Sequence, residues 1–423
     1  MTRWHPPGTP DHRRAVITGV GPLSPVGIGV EAFWQGLRDC CSAVRRLDLF
    51  DTSAMQAKHA AVVEGFDPSA WFPSHRLKRL DRYAQFAVAS AMLALRDSGL
   101  ELDPEAPNER VGISFGTALG GISNAEEQHR NYMQRGHRGV ARALALQVFG
   151  GSGHANIAIE FGIRGIATTN SNSCASSNVA LGEAMRFIRD DLADVVIAGG
   201  SEAPLCPLTF VAFDNINTMS RWQGDPPSHA CRPFDRARDG FVMAEGAASF
   251  VVESLAHARR RGAMIYAEII GYSLGNEAYH MTTPRPDGKP LVRAMREAID
   301  SAGIRPDEID HVNPHASATQ LNDLNEGEAM KRLFNSHIGK LSISATKAYI
   351  GHALGAGGAL EAAATLLSMR RGWVPPVLHL ENPDPDCNGA LVRGDGREQE
   401  VHTALSNSLG FGGINSCLVF RRI

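Results

Sequence analysis

A cysteine accepts an acyl group only where its surroundings favour the thiolate, and Cys174 occupies such a setting. It closes the polar run Thr168-Thr169-Asn170-Ser171-Asn172-Ser173, between a predicted strand and an amphipathic helix. Backbone N–H groups and the dipole at a helix start favour a thiolate. The same N–H groups can cradle an oxyanion. Taken singly, Cys174 reads more simply as a small buried apolar residue. His315, in Asn313-Pro314-His315-Ala316-Ser317-Ala318-Thr319, lies just past a predicted strand, where sheet ends present side chains to a site. His352 follows Lys347-Ala348-Tyr349-Ile350-Gly351, in a glycine-rich turn that opens a helix of very small residues. The chain holds 16 histidines, so either one alone reads as a packed or surface side chain. These glycines lack the GxxxxGK[ST] spacing and Lys347 precedes them, which excludes a phosphate-binding loop. In Gly410-Phe411-Gly412-Gly413 the glycines permit close backbone approach and Phe411 suits a mobile gate. A plain glycine-rich turn is the simpler alternative there.

These residues need elements to hold them. A disordered tail is expected over residues 1–12, before a β-branched run from Arg13 to Gly19. Helices are predicted over about Val30 to Cys40 and Leu80 to Ser98, the second ending on Gly99 as a C-cap. Strand and helix then alternate: strands over Val111 to Phe115, Ile166 to Thr169, Val195 to Ala198 and Ala247 to Glu253, with a helix over Ala175 to Arg189. A break falls near Arg259-Arg260-Arg261-Gly262. The same order of elements returns with strands over Tyr266 to Tyr272, Ile309 to Asn313, Leu405 to Ser408 and Ser416 to Arg421. Helices cover Lys289 to Ala302, Asn322 to Phe334 and Gly355 to Arg371. The alternation predicts an α/β fold with buried parallel strands. Phe213 to Phe241, with Pro226-Pro227 and Pro233, reads as a loop-rich insertion over the core.

Bulk properties narrow the function classes. The chain has 423 residues, enough for two domains or one large fold of two similar halves. A net charge of -3 argues against general nucleic-acid binding. Seven cysteines (Cys40, Cys41, Cys174, Cys206, Cys231, Cys387 and Cys417) form no CxxC pair, so neither zinc nor a redox dithiol is suggested. Low cysteine content reads as a reduced, cytoplasmic chain. No signal peptide and no membrane span are visible.

Each motif alone is weak; their order is specific. From about Arg13 to Arg421 the chain resembles the decarboxylating Cys-His-His β-ketoacyl–acyl-carrier-protein synthases of the thiolase superfamily. It is most similar to synthase II and to the ketosynthase α subunits of type II polyketide systems. The resemblance includes Val16-Ile17-Thr18-Gly19, Cys231-Arg232-Pro233-Phe234-Asp235 and Arg238-Asp239-Gly240-Phe241. It implies a five-layer αβαβα thiolase fold of two pseudo-duplicated halves, 13–261 with the nucleophile and 262–423 with both histidines. Cys174 would take the acyl chain, the N–H groups of Cys174 and Phe411 would form the oxyanion hole, and His315 and His352 would stabilise the malonyl enolate. Lys347 and Glu361 would support them. Ser317 and Thr319 would contact pantetheine, Phe411 would be the gate, and Leu119 and Phe213 would line the acyl pocket. Beyond the phosphopantetheine of acyl carrier protein, no cofactor or metal is implied. Arg76-Leu77-Lys78-Arg79 is a basic patch that would dock the acidic carrier, or equally an ordinary solvated helix face. The partner would be a second copy, or a chain-length-factor-like subunit.

Two departures tilt the expectation toward a specialised chain-builder. Asn172-Ser173 stands where Thr-Ala is commoner, and His315-Ala316-Ser317-Ala318-Thr319 replaces His-Gly-Thr-Ser-Thr. Both changes fall on the walls of the acyl and pantetheine channels. A chain-length factor would lack Cys174, a degradative thiolase would want a second cysteine in a C-terminal loop rather than Cys417 in a strand, and a Cys-His-Asn synthase would lack His352. An acyltransferase that loads chains without condensing is the remaining alternative.

Overall fold

The computed structural model describes residues 9–385 and 390–423. Cys387 and the first eight residues of the expected tail lie outside them; Asp11–Arg13 form one 3-10 turn. The main elements, in chain order, are β1 (Ala15–Ser24), α1 (Arg82–Ser98), β2 (Val111–Gly116), β3 (Ala167–Asn170), α2 (Ser176–Arg189), β4 (Val195–Glu202) and β5 (Gly246–Ser254). They continue as β6 (Ala267–Asn276), α3 (Lys289–Ala302), β7 (His311–Asn313), α4 (Gln320–Phe334), β8 (Ser342–Ile343), α5 (Gly357–Arg371), β9 (Thr403–Gly410) and β10 (Ile414–Arg421).

The strands fall into two blocks with the same order. One runs β3-β2-β4-β5-β1 and the other β8-β7-β9-β10-β6. In each block the first three strands are parallel, and the fourth and fifth are antiparallel to their neighbours. A short antiparallel pairing of Val16 with Glu268 and Ile17 with Ala267 joins the blocks. The expectation of parallel strands is thereby corrected: the sheets are mixed. Burial on both faces, usual for parallel sheets, misled that expectation. Here helices cover both faces of the antiparallel strands as well.

Five layers result. Helix α1 packs on β1 and β5, and α3 on β6 and β10, as the outer layers; α2 and α5 lie between the sheets. Helix α1 starts at Asp81, whose carboxylate accepts the Ala84 N–H at 3.1 Å, and ends at Gly99 in the left-handed conformation. Helix α5 is buried from Gly357 through Met369. Its glycines and alanines let two sheets approach a single helical layer. A Cβ on Gly358 would lie 2.7 Å from the Ser408 hydroxyl of β9. A Cβ on Gly182 of α2 would lie 2.3 Å from the Tyr272 ring of β6.

Among the described residues, three helices of nine residues or more are absent from the sequence expectation: Ile122–Arg135, Ser152–Phe161 and Pro207–Asn215. The first buries only Gln128, so it carries no apolar stripe to read. Strand β4 runs on through Gly199-Gly200 to Glu202; the glycines suggested an end, but the backbone stays extended through them.

Candidate active site

Strand β3 hands the chain to a 3-10 turn, Ser173–Ala175, and then to α2. Side chains freeze the turn. Asn170 Nδ2 donates to the Ser176 carbonyl at 3.0 Å, and Asn172 Nδ2 to Asn170 Oδ1 at 2.9 Å. The Ser176 hydroxyl donates to the Ser173 carbonyl at 2.6 Å. Cys174 is buried at the centre of this turn. Burial pushes its thiol up to about 11, against the opposing pull of the Ser173 hydroxyl and the Lys347 charge. Desolvation therefore opposes the thiolate that a helix start favours.

His315 leaves the end of β7 on a loop with positive φ at Ala316 and Ala318. Glu326 of α4 clamps that loop by accepting the N–H groups of His315 and Ala316, both at 2.8 Å. Lys347 Nζ donates to the His315 carbonyl at 2.6 Å and lies 3.4 Å from His315 Nδ1. Lys347 also ion-pairs with Glu361 of α5. An ammonium can only donate, so its contact sets Nδ1 of His315 as acceptor and leaves the hydrogen on Nε2. His352 is held by its backbone, donating to the Val242 carbonyl at 2.7 Å and accepting from Ala244 N–H at 3.0 Å. The two imidazoles stand nearly perpendicular with centroids 5.2 Å apart. Burial and the neighbouring Lys347 charge hold both well below the ordinary histidine range, so both are neutral at physiological pH.

Cys174, His315 and His352 line one cavity of about 520 Å³ together with Ser317, Thr319 and Phe411. The Ser317 and Thr319 hydroxyls are 3.0 Å apart. Phe411 stacks on Phe213 at 6.0 Å, and Phe213 meets Phe241 edge-on at 5.8 Å. Exposed Met281, Leu321 and Arg221 line its outer part. Leu119 lies off this cavity, in an apolar cluster that includes Cys174, Phe213 and Leu354. Of the basic patch, Lys78 and Arg79 are exposed, but Arg76 is a correction. It turns inward to an ion pair with Glu160 at 3.0 Å and is not a free cation.

The sequence reading missed two buried carboxylates that shape the site. Glu326 holds the His315 loop. Glu202, at the end of β4, accepts the N–H groups of Ala118, Leu119 and Gly355 at 2.6, 3.0 and 3.0 Å, tying two loops together. Burial pushes each up to about 7. Both act on main-chain N–H groups, those of Glu202 far away in sequence and those of Glu326 on the loop before its own helix, so no side-chain pattern marks them.

Residues 12–258 match the family model of the beta-ketoacyl synthase N-terminal domain, and residues 266–381 that of the C-terminal domain. The chain belongs to the β-ketoacyl synthase family. Among its relatives in that family, the 3-oxoacyl-[acyl-carrier-protein] synthase 2 of Coxiella burnetii is 38% identical over 98% of this chain and 99% of its own length. The protein of the same name from Synechocystis sp. is 35% identical over 97% of this chain and 99% of its own. Solved β-ketoacyl synthases superpose closely. The AntDE ketosynthase, solved with the type II polyketide acyl-carrier protein AntF and bound to the hexaketide, gives a TM-score of 0.90 at 32% identity, covering 97% of this chain and 99% of that one. The ishigamide ketosynthase/chain length factor gives 0.90 at 31% identity over the same shares.

Proposed function

We propose that this β-ketoacyl synthase condenses an acyl group carried on Cys174 with malonyl–acyl carrier protein, in type II polyketide, polyene or fatty-acid chain elongation. The observation that carries the proposal is the convergence of one thiol and two neutral imidazoles on a single cavity. In the first half-reaction the Cys174 sulfur attacks the carrier-bound thioester carbonyl. The N–H groups of Cys174 and Phe411 stabilise the oxyanion, and the thiol proton leaves with the pantetheine sulfur. In the second, the N–H groups of His315 and His352 donate to the malonyl thioester carbonyl oxygen. The bond to the carboxylate breaks, carbon dioxide leaves, and the electron pair forms an enolate. The enolate carbon bonds to the acyl carbon, the bond to Sγ breaks, and Sγ takes a proton. Neutral imidazoles suit this role, because a donor that was already cationic would attract the malonyl carboxylate and hold it in place.

Lys347 and Glu361 support the histidines through the His315 loop. Ser317 and Thr319 face the pantetheine arm, Phe411 gates the passage, and Leu119 and Phe213 border the acyl side. Decarboxylation supplies the carbanion, so the reaction as drawn calls for no cofactor beyond the carrier's phosphopantetheine. Residues 13–261 form the half that carries the nucleophile, and 262–423 the half that carries the histidines.

The enzyme works as a dimer, with a second copy or with a chain-length-factor-like subunit. Support comes from β3, an edge strand with no residue fully buried, beside a helix whose Ile159 is 68% exposed. Unpaired strand edges with apolar neighbours are sites for strand addition. Among the described residues no helix is long and apolar enough to cross a membrane. A cytoplasmic location, alongside the carrier protein, is part of the proposal.

Intact-protein mass spectrometry tests the proposal. The enzyme is exposed to a panel of acyl carrier proteins and chased with malonyl carrier protein. Mass gained at Cys174 and then lost, with a product two carbons longer, is expected. Acylation without a chase product would favour a loading transferase, and no acylation from any donor would overturn the reading.

A further inference from the structure

The residue before the nucleophile is a serine, and its side chain is aimed at the thiol. Ser173 adopts φ 53°, a left-handed conformation unfavourable for a side chain other than glycine. That twist turns its hydroxyl onto Cys174 Sγ, with Oγ donating across 3.7 Å. The rest of the turn holds the backbone and Cβ of Ser173 in place. The Ser173 carbonyl is bound by Ser176, and Gly410 of β9 presses so close that a Cβ there would lie 3.2 Å from the Ser173 Cβ. Cys174 lines the cavity and Ser173 does not, so the hydroxyl approaches the sulfur from behind the cavity wall.

We infer that Ser173 is a further catalytic residue: its hydroxyl donates to Cys174 Sγ and stabilises the thiolate that attacks the acyl donor. Hydrogen bonds to an ionised acceptor are roughly twice as strong as neutral ones, so the contact favours thiolate over thiol. The need is evident from the site, because burial pushes the thiol up to about 11 and the nearest full positive charge, Lys347, is already paired with Glu361. The hydroxyl is thus a local donor that the buried sulfur keeps through both half-reactions. This rests on Cys174 being the nucleophile of the proposed condensation. It also revises the expectation that Ser173 shapes a channel wall.

The test is the pH dependence of Cys174 alkylation by iodoacetamide, which needs neither carrier protein nor acyl donor. Adduct formation at Cys174 is followed by peptide mass spectrometry in wild type, Ser173→Ala and Ser173→Gly. Both variants lose the hydroxyl, and glycine also removes the left-handed strain. Both are expected to alkylate about tenfold more slowly at pH 8, with the profile displaced to higher pH by the same amount. Unchanged profiles in both variants would overturn the inference. So would a shift in the alanine variant that glycine restores, since backbone geometry would then be the cause. Should the alanine variant fail to fold, the glycine variant decides alone. A shifted profile in an enzyme that never condenses would sink the proposed function and leave this contact standing.

Discussion

At the scale of the residue, the site works by keeping charges where chemistry does not need them. Lys347 and Glu361 are both buried and answer one another. Removing one partner leaves the other charge stranded, so Glu361→Ala is expected to cost about 3–5 kcal/mol in a urea titration. Cys174→Ala is expected to abolish acyl loading outright, read as the absence of any mass gain. His315→Ala and His352→Ala are expected to load an acyl chain but release no carbon dioxide from malonyl carrier protein; unchanged release in both would remove their assigned role. The histidines also link stability to pH. Their folded values lie well below 6.5 and their unfolded values near it, so below that pH the unfolded chain takes up protons that the folded chain does not. Stability of wild type relative to a His315→Asn/His352→Asn double variant is therefore expected to fall as pH drops from 7.5 to 5. The buried carboxylates of Glu202, Glu326 and Glu361 act in the opposite sense between about 4.5 and 7, which is why the comparison needs the double variant.

At the scale of the element, three functional side chains sit where a strand stops, while His352 lies in the turn that leads into α5. Cys174 follows β3, His315 follows β7, and Phe411 tops the β9–β10 hairpin. That placement made them legible: short apolar runs ending in small polar or glycine-rich turns are visible in sequence. The histidine loop was legible and its clamp was not, because Glu326 of α4 binds main-chain N–H groups of the preceding loop, and a backbone partner leaves no mark on residue types. Arg76 shows the same limit from the other side. A basic run predicts a charged face, but whether one arginine folds inward depends on Glu160, far along the chain. The hairpin also fits closely against the cysteine turn. A Cβ on Gly410 would stand 2.9 Å from the Asn172 carbonyl oxygen and 3.3 Å from the Cys174 nitrogen. Gly410→Ala is therefore expected to cost about 1–3 kcal/mol and to slow acyl loading more than the lost stability explains. Loading at the wild-type rate would show that the hairpin yields freely.

At the scale of the whole molecule, neither block of strands carries the full set of groups. The thiol comes from one and both imidazoles from the other, and α2 and α5, packed together between the sheets, fix their separation. The proposed docking and assembly surfaces lie on the outside of this core. Lys78→Glu with Arg79→Glu is expected to weaken carrier binding at low ionic strength and to matter little at high salt; equal affinity at low salt would leave these residues as plain surface. Ile159→Glu is expected to shift the sedimentation profile toward the single chain if β3 is the assembly edge.

The strand order has a consequence for how the protein is made. Strand β10 lies between β9 and β6, so the interior of the second sheet is filled by a segment made after every other strand of that sheet. Until residues 414–421 emerge, β6 and β9 each present an unpaired edge while the first block, complete by residue 254, can already close. The nascent chain therefore passes through a stage with one finished sheet and one open one, and the catalytic pocket comes into being only after translation has moved beyond both histidines.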